Sequence, residues 1–224
     1  MNSRSKIAWF VTGTDTGIGK TFVSCALLHA LCARGLRTTG MKPIAAGIEA
    51  DGSNEDVERL RAASSVRVDR SLVNPYLLRE PIAPHLAAAE EGIKLALMTI
   101  REAFDALTDL ADAVIVEGCG GFVVPLDESH DTADLALCLD LPVILVVGMR
   151  LGCLNHALLT EEAIARRGLT LAGWVANRID PQMLRFEANL ATLEARIAAP
   201  LLGVVPHMPA GDPAKAASHL GLPP

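Results

Sequence analysis

Gly13-Thr14-Asp15-Thr16-Gly17-Ile18-Gly19-Lys20-Thr21 is the stretch on which the reading of this chain turns. An apolar run from Ile7 to Val11 precedes it, and a helical pattern (Phe22, Cys25, Ala26, Leu28) follows. A strand, a glycine-rich turn and a helix start in that order are the setting a phosphate-binding loop requires. The backbone N–H groups of such a turn, with the positive end of the next helix, draw an anion. Lys20 is then placed to reach terminal phosphates, and Thr21 to offer its hydroxyl to Mg²⁺. Five residues separate Gly13 from Gly19, one more than the usual loop has, so the turn is a variant. The plainer reading, a generic Gly/Thr connection, does not account for Gly-Lys-Thr falling where the helix begins.

Outward from that loop, 224 residues suit one α/β domain with a full core. Half the residues are hydrophobic and only 4% aromatic, so Ala, Leu, Val and Ile must build the interior. A net charge of −6 argues against nucleic acid or an anionic membrane as the main partner. Phosphate binding must therefore come from a local pocket and not from the overall field. The five cysteines (Cys25, Cys32, Cys119, Cys138, Cys153) contain no Cys-x-x-Cys and suit reduced thiols better than a disulfide framework or a zinc site. Residues 1–6 lead directly into the first strand without the apolar core of a signal peptide. No apolar run reaches the ~18 residues of a membrane-spanning helix. The expectation is a soluble, cytoplasmic protein.

Apolar runs of strand length recur at 7–12, 37–41, 113–116, 143–147, 171–176 and 201–205. Helical patterns fall between most of them, at about 20–33, 55–63, 95–110, 132–139, 154–167 and 183–197. Short continuous apolar runs alternating with helices predict a mostly parallel sheet with helices on both faces. No repeat or linker divides the chain, so residues 1–224 are expected to form a single P-loop domain. The stretch from Pro43 to Pro84, interrupted by Pro75 and Pro81, is less regular and reads as a functional excursion.

Ligands of open α/β sheets lie beyond the carboxyl ends of the strands, so polar residues there are the candidates for a site. The second strand ends at Lys42, and only five of the twenty basic residues are lysine. A second ammonium beside Lys20 would neutralise a transferred phosphoryl group or an anionic substrate; a solvated strand-end lysine is the bland alternative. Asp56 heads a helical pattern, where an acid suits the helix dipole as well as it suits a metal. Ala113-Val114-Ile115-Val116-Glu117 ends in a carboxylate at a strand tip, the Walker B arrangement for Mg²⁺, and Gly118-Cys119-Gly120-Gly121 follows. Asn177 closes the fifth long run, and its amide can donate to and accept from a purine edge. With Arg178 and Asp180 it also resembles the Asn-Lys-x-Asp signature of guanine-specific GTPases. Pro206-His207-Met208 leaves the last strand and is placed to flank a base. The histidines have no ligand spacing: His29 reads as packed, and His156 is a candidate ligand contact. Cys25 and Cys32, seven apart on the first helix, are expected in the core.

The chain resembles the dethiobiotin synthetase family. The matching pieces are Val11 to Thr16 with Gly19-Lys20-Thr21, then Lys42-Pro43-Ile44, Val73-Asn74-Pro75-Tyr76 and Val116-Glu117-Gly118. Leu151-Gly152-Cys153-Leu154-Asn155-His156 and Gly173-Trp174-Val175-Ala176-Asn177 complete the set, in order over about residues 7 to 208. The resemblance implies ATP- and Mg²⁺-dependent closure of a cyclic urea from CO2 (or bicarbonate) and 7,8-diaminononanoate. It implies a carbamate, then a carbamic–phosphoric anhydride, then displacement of phosphate by the second amine. Transferred by motif, Lys42 and Lys20 are catalytic, and Thr21, Asp56 and Glu117 hold Mg²⁺. Gly17, Ile18, Gly19, Lys20, Thr21 and Phe22 cradle ATP, joined by Asp56 and by Glu117 to Gly120. Asn177 and Arg178, with Pro206 to Met208, take the adenine. Thr16, Lys42 and Ala46 border the carbamate. The family is a homodimer, and the loop Leu151, Gly152, Cys153, Leu154, Asn155 receives the substrate tail bound to the other subunit. Three positions depart from the family pattern: Ala46 for a hydroxyl residue, Gly17 for a frequent Glu, and Cys119 within what is usually Gly-Ala-Gly-Gly.

A dimerising ATPase switch of the ParA/MinD type shares the variant loop. Those proteins carry a signature lysine five residues before the loop lysine, where this chain has Asp15. A regulatory GTPase, or a module that only binds nucleotide, gives Lys42 no role.

Overall fold

The run Val143-Ile144-Leu145-Val146-Val147-Gly148 is buried at every position. A β-branched, wholly apolar segment of that length is what a strand covered on both faces requires. The computed structural model describes residues 6–209 and 211–224, so the expectation made for the first five residues lies outside the described residues. β1 (Ile7–Gly13) leads into α1 (Lys20–Cys32) and β2 (Thr38–Met41). Next come β3 (Ile44–Ala46), α2 (Glu55–Ala63), α3 (Arg70–Val73), β4 (Tyr76–Leu78) and α4 (Pro84–Glu91). They are followed by α5 (Leu97–Leu110), β5 (Ala113–Glu117), α6 (Thr132–Leu139), β6 (Val143–Gly148) and α7 (Cys153–Arg166). β7 (Leu171–Asn177), α8 (Phe186–Arg196), β8 (Leu201–Val205) and α9 (Pro213–Ala216) complete the order.

The main sheet runs β2-β5-β1-β6-β7-β8, and each of its pairings is parallel. From β1 the chain winds one way to β2 and β5, then crosses to β6, β7 and β8 on the other side. That reversal opens a crevice at the carboxyl end of β1, where the glycine-rich loop begins. Alternation along the strands splits the core. Phe10, Val114 and Val116 face the layer made with α5 and α6. Val11, Ile115, Ile144 and Val146 face α1. Leu145, Val147 and Trp174 pack with residues of α7 and α8.

α1 buries Val23, Ser24, Cys25, Ala26, Leu27 and Leu28 in succession. A helix apolar on every side is covered on every side, and here α2 and α9 cover the flank turned away from the sheet. The expectation that Cys32 lies in the core with Cys25 is corrected: Cys25 is buried, whereas Cys32 is exposed at the end of the helix. The excursion is also more ordered than its prolines suggest, since β3 and β4 pair as a small parallel sheet of their own. Asn54 opens α2 by accepting a hydrogen bond from Val57 N (3.2 Å), which places Asp56 in its first turn. Among the described residues no helix is long and apolar enough to cross a membrane.

Candidate active site

The loop between β1 and α1 is held from several directions. Gly17 and Gly19 take φ of 72° and 86°, left-handed values that cost an L side chain about 1–2 kcal/mol. The Asp15 carboxylate accepts from Thr16 N at 2.7 Å and from Arg150 Nη2 at 2.5 Å. Lys20 Nζ curls back to donate to the Asp15 carbonyl at 2.7 Å, so its ammonium lies over the loop's own backbone. Burial, and then the Lys42 charge, pull the Lys20 value from its ordinary 10.5 down to about 8.

That shift has a sign that can be tested. Bound phosphates favour the ammonium and raise its value again. Binding of ATP above pH ~8 must therefore take up a proton, and affinity should fall as pH rises beyond ~8. Calorimetry in buffers of different ionisation heat at pH ~9 should find about one proton taken up per nucleotide. No uptake there means that Lys20 stays charged in the free protein.

Deeper in the cleft, three chain segments meet. Thr21 Oγ1 lies 2.8 Å from Asp56 Oδ1 and 2.8 Å from Glu117 Oε1. Lys42 Nζ lies 3.2 Å from Asp56 Oδ2 and 2.5 Å from Glu117 Oε1. Burial works against the Lys42 charge, but Glu117 and Asp56 outweigh it and hold Lys42 above the ordinary lysine value. For Asp56, burial is likewise outweighed by Lys42 and the Thr21 hydroxyl, so its carboxyl sits below the ordinary value. Glu117 is fully buried, yet its Oε2 has no hydrogen-bond partner. One hydroxyl hydrogen and one ammonium thus face two carboxylates, one of whose oxygens is orphaned. Such an all-oxygen, net-negative donor set suits a hard divalent cation such as Mg²⁺, which commonly takes one or two carboxylates plus substrate phosphates.

Lys42 is held by its backbone. Its N–H donates to the Val73 carbonyl at 2.8 Å, and buried Asn74 donates from Nδ2 to the Lys42 carbonyl at 2.7 Å. The Val73-Asn74-Pro75-Tyr76 motif therefore fixes the end of β2.

The structure gathers half of the site residues expected from the sequence into one cleft of about 890 Å³. Thr16, Gly17, Gly19, Lys20, Thr21 and Phe22 line it together with Lys42, Ala46, Asp56, Glu117, Cys119 and Gly120. Burial pushes the Cys119 thiol up. A smaller cavity of about 190 Å³ is lined by Phe22, Asn177, Arg178, Pro206, His207 and Met208, with Ile179. Phe22 is common to both. Gly118 stands behind the cleft, packed near the Phe10 ring, and its carbonyl accepts from Lys42 Nζ at 3.4 Å. Ile18 is buried, so only its backbone is available to a ligand.

The stretch Leu151 to Asn155, expected as a loop, enters the first turn of α7 at Cys153 and does not join this cleft. Leu151 is 95% exposed, while the Cys153 side chain is in the core, which leaves that thiol out of reach of any ligand. His156 is exposed and also outside both cavities. Sequence reasoning missed Arg59, Pro81, Ile82 and Val124, all of which line the cleft. Arg59 lies three residues after Asp56 on α2, so helical spacing could have found it. It also missed Arg150, whose ion pair with Asp15 links residues far apart in the chain.

A phosphate loop at the switch point of a parallel sheet, with a basic and an acidic strand end facing it, defines a P-loop nucleotide-binding protein. The family model described as "AAA domain" matches residues 8–215. The ATP-dependent dethiobiotin synthetase BioD of Aromatoleum aromaticum is 62% identical over 219 residues, 96% of this chain and 97% of that protein. The protein of the same name from Nitrosospira multiformis is 56% identical over 199 residues, 89% of this chain and 88% of its own. The chain belongs to the ATP-dependent dethiobiotin synthetase family. Solved structures share the fold at low identity. A ParA family ATPase from Chlorobium tepidum superposes with TM-score 0.58 at 15% identity, covering 96% of this chain and 90% of its own. The cell division ATPase MinD of Pyrococcus furiosus gives 0.58 at 21% identity, covering 96% and 94%.

Proposed function

We propose that residues 1–224 work as one synthetase domain that closes CO2 and 7,8-diaminononanoate into the cyclic urea of dethiobiotin, with ATP going to ADP and phosphate in the cytoplasm. The observation that carries the site assignment is the convergence of Lys20, Lys42, Asp56 and Glu117 within one cleft beside a base-sized cavity. One substrate amine takes up CO2 and loses a proton, giving a carbamate. A carbamate oxygen attacks the γ-phosphorus and ADP leaves. The second amine then attacks the carbonyl carbon of the mixed anhydride, phosphate departs as the ring closes, and the nitrogen gives up one proton, which the departing phosphate can accept.

The protein's part is positioning and charge. Lys42 is buried beside the carboxylates, so its ammonium acts in a medium where electrostatic effects exceed those in water. It meets the carbamate and the transferring phosphoryl group, and Lys20 holds the terminal phosphates. Thr21, Asp56 and Glu117 would hold Mg²⁺, which supplies neutralising charge for the phosphates. Thr16 borders the carbamate. Ala46 offers no hydroxyl at its position, so one hydrogen bond to substrate is absent. Asn177 and Arg178, with Pro206, His207 and Met208, enclose the adenine. A homodimer gives the segment Leu151 to Asn155, which exposes Leu151 ahead of the first turn of α7, its purpose, reaching the substrate tail in the other subunit.

A switch of the ParA/MinD type is disfavoured because Asp15 puts an anion, paired with Arg150, where those ATPases need a lysine. The test is turnover. Purified protein with ATP, Mg²⁺ and bicarbonate should release phosphate only when 7,8-diaminononanoate is added, and dethiobiotin should form in equal amount. ATP hydrolysis indifferent to the diamine would sink the synthetase reading.

A further inference from the structure

Asn177 lines the base cavity, yet its strongest contact is elsewhere. Nδ2 donates to the Ile18 carbonyl at 2.7 Å, across 159 residues of sequence. The orientation of the amide is not free: turning it over would set two acceptor oxygens face to face at that distance. The next residue of the loop confirms how close this approach is. A Cβ on Gly19 would stand 2.2 Å from Asn177 Nδ2, so the amide bears directly on the left-handed turn that opens α1.

Both ends of the contact are rigidly mounted. Asn177 is the last residue of β7, paired with Gly148 of β6, and its carbonyl accepts from Met149 N at 2.8 Å. The Ile18 side chain is buried and seated against Gly148, where a Cβ would lie 2.5 Å from Ile18 Cγ2. The amide therefore joins the end of one strand to the crown of the loop between β1 and α1, which the Asp15–Arg150 pair holds further along.

We propose that Asn177 is a positioning residue for the phosphate loop, fixing the Ile18–Gly19 peptide so that the loop N–H groups face the phosphates before any nucleotide arrives. Reading the base is then secondary, performed with the hydrogen-bonding capacity that the latch leaves over. The inference rests on the nucleotide reading of this site. It separates two roles that a single loss of ATP binding would confound. A base reader matters only to ligands that carry the right base. A loop latch matters to every ligand that places phosphates in the loop, and it matters to the loop when nothing is bound.

Asn177→Asp is the decisive variant, because it keeps shape and an acceptor oxygen while removing the donor and setting a carboxylate against the Ile18 carbonyl. Affinities of the full chain for ATP, UTP and inorganic tripolyphosphate should all fall by about tenfold or more, including for tripolyphosphate, which has no base to read. In the ligand-free protein, amide hydrogen exchange over residues 16–21 should rise, a change that base reading alone does not produce. Met208→Ala, in the same cavity but without a bond to the loop, should weaken ATP and leave tripolyphosphate unchanged. If the aspartate variant does not fold, Asn177→Ala removes the donor without adding charge and is read by the same measurements. The latch is wrong if ATP affinity alone falls, with tripolyphosphate binding and loop exchange as in the parent protein. A parent protein that binds none of the three ligands overturns the nucleotide reading, and the latch with it.

Discussion

Lys42→Met is expected to lower diamine-dependent ATP turnover by about 10²–10³-fold, the scale of removing one preorganised charge-stabilising donor, while ATP affinity stays within a few-fold. The ammonium is buried between Glu117 at 2.5 Å and Asp56 at 3.2 Å, just past the end of β2 and outside the smaller cavity lined by Asn177 and Met208. Methionine keeps the stem and its packing but has nothing to offer a developing negative charge. The variant should also be less stable, because breaking a buried pair leaves Glu117 uncompensated at about 3–5 kcal/mol. Mg²⁺ should restore much of that stability, since a cation at Thr21, Asp56 and Glu117 replaces the missing charge. Steady-state kinetics, nucleotide titration and thermal unfolding with and without Mg²⁺ check the three parts. Equal loss of turnover and of ATP affinity would move Lys42 from the chemistry to nucleotide binding.

Glu117→Gln should be as damaging to turnover, about 10²–10³-fold, through a different cause. The side chain keeps its shape, but one of the two carboxylate charges facing Thr21 and Lys42 is gone, and Mg²⁺ should be needed at much higher concentration. The pH profile gives the sharper reading. Lys42 stands above the ordinary lysine value only because Glu117 and Asp56 outweigh burial. With Glu117 neutral, burial gains and the Lys42 value must fall. At saturating ATP, where bound phosphates keep Lys20 charged, the alkaline limb of the residual turnover should then move to lower pH than in the parent enzyme. An unmoved alkaline limb, with activity still lost, would mean that Glu117 acts through the metal alone.

Much of the site was legible because its elements carry their own local grammar. Glycines at 13, 17 and 19 followed by Lys20 and Thr21 announce a turn that feeds a helix. A wholly apolar run closed by Glu117 announces a buried strand with a charged tip. Asn177 stands out for the same reason, as a polar residue ending an apolar run, and Lys42 as a lysine at a strand end closed by Pro43. Arg59 was not found because a charged residue on an exposed helix face looks like solvated surface until a cleft opens beside it. Cys32 is exposed against expectation, because a helix of continuous apolar character gives no hint of where its covering layer stops. Helix α2 stands where its helical pattern at 55–63 predicts it, whereas β3, α3, β4 and α4 are short elements whose partners lie far along the chain, so nothing local announces them.

The sequence by itself determined the strand-loop-helix at residues 7–32, the parallel α/β architecture and the family to which the chain belongs, since each rests on local spacing or on ordered motifs. Only the tertiary structure decided what those residues do to one another. It set the Lys42 ammonium between Glu117 and Asp56, left one oxygen of Glu117 without a partner, and turned the amide of Asn177 toward the Ile18 carbonyl. Charge balance inside a buried cleft and the direction of a single hydrogen bond depend on distances between strand ends. Those distances exist only after β1, β2, β5, β6 and β7 have paired.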